Sequence, residues 1–93
     1  MENPPKIWDA AQRADVVVTG RDGRPCLLAE CKAPDVPLGR EVFAQAVRYN
    51  SVVAAPYVLI TNGLLHCCSS LDRSTGRYAV VEGLPDLSPF LGI

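Results

Sequence analysis

The chain has 93 residues, 48% of them hydrophobic, with nine Lys and Arg against ten Asp and Glu and a formal net charge of −1. That length suits one small domain and leaves no room for a second core, while the apolar content favours a packed globule over disorder. The charge balance excludes a broadly basic surface, though not a cluster of Lys and Arg around a groove. No stretch approaches the roughly 20 apolar residues that span a bilayer, and the Pro-rich start lacks the apolar core of a signal peptide. A membrane protein is thereby excluded, and a cytoplasmic location is expected. The four cysteines are expected to be reduced, and structural zinc is not expected: His66-Cys67-Cys68 lacks Cys-x2-Cys spacing, and adjacent strand residues point to opposite faces. A chain this short buries only roughly 60–65% of its unfolded surface, so a partner subunit or flanking domain is expected to contribute to stability.

Residues 1–12, with Pro4-Pro5 and Trp8, read as an irregular lead-in. Two short apolar strands follow, Arg13-Ala14-Asp15-Val16-Val17-Val18 and Cys26-Leu27-Leu28-Ala29-Glu30-Cys31-Lys32. Asp22-Gly23 between them predicts a hairpin with a two-residue type I′ loop, because both residues tolerate positive φ. Counting outward from that loop sets Thr19 opposite Cys26, Val17 opposite Leu28 and Asp15 opposite Glu30. Directly opposed side chains share a face with Cβ atoms about 4.5–5.5 Å apart, and alternation adds Lys32 to that face. Two adjacent carboxylates at the end of a buried hairpin call for a compensating cation, which a hard divalent metal would supply. The same register sets Arg13 against Lys32, a like-charge pair that splays the strand ends or turns Arg13 toward phosphate.

Residues 33–39, punctuated by Pro34 and Pro37, form a loop into a helix over residues 40–54. Its apolar stripe is Phe43, Ala46, Val47, Val53 and Ala54, expected to cover the sheet. Pro56 stops the helix, and residues 57–61 form a strand ending at the Asn62-Gly63 turn. Strands over residues 64–71 and 77–81, then a tail over residues 88–93, complete the chain. The order β-β-α-β-β-β makes an α/β fold with one main crossover helix and one parallel pairing in a mixed sheet. The first two strands, apolar on both faces, are expected to be central.

The charged residues also have a plainer reading. Asp15 can cap a strand end, and Glu30 with Lys32 can be a solvated ion pair. Tyr49 alone reads as a residue at the edge of the core, and Arg40 and Arg48 as part of a solvated helix face. The coincidence of an Asp facing the Glu-x-Lys favours a site.

Asp15, the hairpin and Glu30-Cys31-Lys32 resemble the PD-(D/E)xK nuclease core, with Ala14 in place of the proline. Arg-Ala-Asp-Val-Val-Val, Leu-Ala-Glu-Cys-Lys-Ala-Pro, Gln-Ala-Val-Arg-Tyr-Asn and Ile-Thr-Asn-Gly extend the resemblance, over residues 13–87, to the N-terminal nuclease domain of type I restriction enzyme R subunits and small stand-alone bacterial relatives. The resemblance implies a restriction-endonuclease-like fold and hydrolysis of DNA phosphodiesters. It implies Mg²⁺, with Mn²⁺ as a substitute, held by Asp15, Glu30 and the backbone carbonyl of Cys31. Lys32 would orient the attacking water or neutralise charge developing at phosphorus. Gln45 and Tyr49 match the family's Gln-x-x-x-Tyr motif, whose spacing of four sets them on one helix flank, and the resemblance implies that they are second-line contacts to the lysine, the water or the phosphate. Arg13, Arg40 and Arg48 are candidate contacts to DNA phosphates.

The family has a longer segment ahead of the Asp strand, with a helix bearing a further acid. Here Ile7-Trp8-Asp9 leads almost directly to Arg13-Ala14-Asp15, so that helix is expected to be truncated and the exposed apolar surface to favour a homodimer or a larger restriction complex. Two alternatives follow: a catalytically inactive remnant of the fold that binds DNA or protein, and an interaction module whose acids form structural salt bridges.

Overall fold

The computed structural model describes residues 15–92. Expectations for the lead-in over residues 1–12, the truncated N-terminal helix and Arg13 fall outside those residues. The elements are β1 (Val16–Thr19), β2 (Pro25–Cys31), α1 (Arg40–Val53), β3 (Tyr57–Thr61), β4 (His66–Asp72), β5 (Arg77–Val81) and α2 (Ser88–Leu91). The strands form one five-stranded sheet in the order β1-β2-β3-β4-β5. Only β2 and β3 pair in parallel, across the α1 crossover, and the other pairings are antiparallel. The expected strand-strand-helix-strand-strand-strand order is therefore present. The segment read as a tail also holds α2, whose Phe90 meets Tyr57 edge-on with ring centroids 6.2 Å apart.

The hairpin reaches the expected register by a different route. Its loop has three residues, not two: Gly20 N–H donates to Arg24 O at 2.8 Å and Gly23 N–H to Gly20 O at 3.0 Å. Gly23 has φ +80°, whereas Asp22 does not enter the positive-φ region that a type I′ turn demands. Asp22 instead accepts a hydrogen bond from Arg24 N–H at 2.9 Å through Oδ1, a local bond that favours the three-residue loop. The longer loop shifts the pairing by one, so Thr19 faces Pro25 and not Cys26. An irregularity between Val18 and Thr19 then leaves Cys26 without a facing residue and restores Val18 opposite Leu27 and Val17 opposite Leu28. Gly20 has a second constraint, since a Cβ there would stand 2.7 Å from Phe90 O.

Of the first two strands, only β2 is central. The crossover sets β3 on its far side, and residues Cys26, Leu27, Leu28, Ala29 and Glu30 are all buried. β1 has β2 as its one neighbour in the described sheet, and Val16 and Val17 stay 46% and 40% exposed.

α1 lies against β2 and β3. The core unites Leu28, Val58 and Ile60 from the sheet with Val42, Ala46 and Tyr49 from α1. The buried stripe is thus rotated from the expected one: Val42, Tyr49 and Asn50 are buried, Val47 is half-buried and Ala54 is exposed. Polar partners explain the rotation. Asn50 Nδ2 donates to Ala55 O and Tyr78 Oη, both at 3.0 Å, and its Oδ1 accepts from Ala55 N–H at 2.8 Å. Burying Asn50 is therefore tolerable, and its grip on Ala55 ends the helix at Val53, with Ala54 at φ 59°. The strand expected over residues 64–71 starts later, at His66, because Asn62 Oδ1 accepts from the N–H groups of Leu64 and Leu65 and bends the chain there.

Candidate active site at the carboxyl ends of the parallel strands

β2 and β3 end side by side, at Cys31 and Thr61, and the loop after β2 leads into the N-terminus of α1. Glu30, Lys32 and Gln45 meet at this end, and Asp15 is tied to it through the backbone of Cys31. The last paired positions of the hairpin are Val16 and Ala29, and Asp15, expected in the strand opposite Glu30, lies in a bend one residue before β1 and outside the ladder. Asp15 Oδ2 accepts a 2.8 Å hydrogen bond from Cys31 N–H, so the carboxylate holds the end of β2 where the strand ladder stops. A strand residue directs its N–H and C=O to the same edge; the Cys31 carbonyl therefore leaves on Asp15's side.

Glu30 lies under α1, and its side chain is only 5% exposed. Lys32 Nζ stands 3.0 Å from Glu30 Oε2 and donates to Gln45 Oε1 at 3.2 Å. Glu30 Oε1 is buried with no hydrogen-bond partner among the described residues. A buried carboxylate oxygen without a donor is costly, so this atom is a vacant acceptor suited to a cation. Lys32 supplies part of the compensating charge that the sequence demanded. Among the described residues no three His, Cys, Asp or Glu side chains are grouped to hold a metal. An ion here would rest on two carboxylates, the Cys31 carbonyl and water, a hard oxygen set of the kind that suits Mg²⁺.

Cys31 is exposed, and alternation turns its thiol to the face opposite Glu30. Partial burial pushes the thiol pKa up, and the negative charges of Asp15 and then Glu30 push it further. Tyr49 is buried in the core, one turn along α1 from Gln45. Arg40 and Arg48 are both exposed on α1, Arg40 at its first position.

Asn62 carries more than a turn. It is 5% exposed, its Nδ2 donates to Val36 O at 2.8 Å and its backbone N–H to Leu65 O at 3.2 Å. It therefore ties the loop between Lys32 and α1 to the end of β3, which holds Gln45 within reach of Lys32. Asn62-Gly63 as a turn pair hides that role, because the bond to Val36 spans 26 residues.

The mixed sheet, the α1 crossover and the acid-lysine end define an α/β domain of the restriction-endonuclease-like class. Residues 2–85 match the family described as the type I restriction enzyme R protein N terminus, and the chain belongs to that family. No curated protein and no solved structure matches it. Among the described residues no helix is long and apolar enough to cross a membrane.

Proposed function

We propose that this chain is a Mg²⁺-dependent DNA endonuclease domain, acting in the cytoplasm alone, as a homodimer or within a larger restriction complex. The observation that carries the reading is Glu30, a buried carboxylate with one oxygen on Lys32 and the other without a partner among the described residues. Membership of the R-protein N-terminal family supports DNA as the substrate.

Asp15, Glu30 and the Cys31 carbonyl would hold the ion. When bound, Mg²⁺ polarises the scissile phosphate and lowers the pKa of a water. Lys32 is the cation of the site: its ammonium orients the attacking water or offsets charge growing on the phosphate oxygens. Gln45 restrains Lys32 through the 3.2 Å hydrogen bond, so the ammonium stays on the Glu30 side of the helix. Tyr49 supports the same flank from the core, as a contact of secondary importance. Arg40 and Arg48, and Arg13 ahead of β1, would hold the DNA backbone and carry no sequence information.

A second reading is favoured by the Lys32–Glu30 ion pair, which at 3.0 Å offsets part of the buried charge with no metal. On that reading the chain is an inactive remnant that binds DNA or protein. Mg²⁺ titration followed by plasmid cleavage separates the two. Metal binding with cleavage that is lost in Asp15→Ala, Glu30→Ala and Lys32→Ala supports the endonuclease. Binding without cleavage supports the remnant, and cleavage that survives all three substitutions removes the site assignment.

A further inference from the structure

A groove of about 370 Å³ opens between the first half of α1 and the outer strands β4 and β5, on the face of the sheet that α1 covers. Its walls include Phe43 and Tyr78, which meet edge to face with centroids 5.6 Å apart. Val80, 83% exposed, forms its outer lip, and Arg40 lines it at the start of α1. On its floor is Ser69, a residue 7% exposed that lines the groove.

These features select a ligand. Half-buried aromatic rings offer flat apolar surface, which a planar ring would cover. The Ser69 hydroxyl in the groove lining would lose its water to a purely hydrocarbon occupant, and favours one with ring nitrogen or oxygen atoms, to which the hydroxyl can donate or from which it can accept. Arg40 and the free N–H groups in the first turn of α1 favour an attached anion. Gly39, the N-cap, has no side-chain cap, and the space where its Cβ would stand is open. Glu41, the acid of that first turn, lines a neighbouring hollow and is not part of the groove wall.

We infer that the groove binds an unpaired nucleobase of single-stranded DNA, with the base against Phe43 and Tyr78, its edge on Ser69 and its phosphate on Arg40 and the start of α1. The inference rests on the proposed action on DNA and narrows it. Ile60, part of the groove wall, is the ladder neighbour of Glu30, so a base held here belongs to a strand already separated beside the acid-lysine end. The preferred substrate is then DNA with a single-stranded or frayed segment, and the groove tolerates any base because each offers an aromatic face.

Cys67, exposed and in the groove wall, gives a local readout. A short single-stranded oligodeoxynucleotide should slow alkylation of Cys67, read by mass spectrometry, whereas a blunt duplex of the same sequence should not. Ser69→Leu, which fills the floor, should abolish the protection and weaken single-strand binding about tenfold. Arg40→Gln, an exposed change that leaves the fold intact, should weaken binding with a smaller salt dependence. Cys67 alkylation that is indifferent to the single strand, or equal protection by duplex, overturns the inference. Plasmid cleavage without Cys67 protection removes the groove and leaves the endonuclease standing. Protection without cleavage in Mg²⁺ keeps the groove and removes the endonuclease.

Discussion

Lys32 Nζ lies 3.0 Å from Glu30 Oε2, and the two side chains differ sharply in exposure, 28% for the lysine and 5% for the carboxylate. Removing the cation leaves a buried charge with no partner, whereas removing the acid leaves an ammonium that reaches water. Lys32→Met should therefore destabilise the domain by about 2–3 kcal/mol and Glu30→Gln by about 1 kcal/mol or less. Urea denaturation checks the order, and a larger loss for Glu30→Gln would contradict it.

The vacant Glu30 oxygen predicts linkage between folding and metal. Mg²⁺ at a hundred times its dissociation constant should stabilise the chain by about 2.7 kcal/mol, and Asp15→Asn or Glu30→Gln should remove that gain. Thermal melts with and without Mg²⁺ measure it directly.

The end of α1 offers a stability test far from the chemistry. Asn50 is 2% exposed and bonded to both polar groups of Ala55, so Asn50→Ala should cost about 2–3 kcal/mol through the amide and carbonyl it abandons. Ala54 is the one non-glycine residue with positive φ among those described, and it is exposed. Ala54→Gly should stabilise the domain by about 1 kcal/mol. Calorimetry of the two variants should show shifts of opposite sign.

In the β4–β5 turn, hydrogen bonds from the Ser74 hydroxyl and then its N–H hold the Asp72 pKa below its ordinary 3.8. A depressed folded pKa adds stability that is present above the unfolded value and is lost as pH falls through the folded one. Asp72→Asn should flatten the stability curve below about pH 4 and leave the curve above pH 5 parallel to that of the parent. Acid titration of the melting midpoint reads this out.

Much of the fold was legible in local patterns. Pro56, the apolar run from Tyr57 to Thr61 and the Asn62-Gly63 turn are signals contained within a few residues, and β3 stands as they imply. The hairpin register was legible by cancellation. The loop is one residue longer than Asp22-Gly23 suggests, and the irregularity at Cys26 returns the difference, so Val17 faces Leu28 as counted. Asn50 was read only as part of the family motif, because its burial depends on Tyr78, 28 residues away. The Lys32–Gln45 contact followed from the family motif more than from spacing, since a helix start can be read from Pro37 and Gly39 but its rotation over the sheet cannot. The role of Asn62 was invisible for the same reason: it is set by Val36, 26 residues away in the loop before α1.

The most direct measurement is conversion of supercoiled plasmid by the purified chain in Mg²⁺, beside Asp15→Ala, Glu30→Ala and Lys32→Ala. The account predicts that the parent nicks and linearises the plasmid, that EDTA stops it, and that each substitution lowers the rate by at least about a hundredfold. A parent that binds Mg²⁺ yet leaves the plasmid intact, or variants that cut as well as the parent, would contradict it.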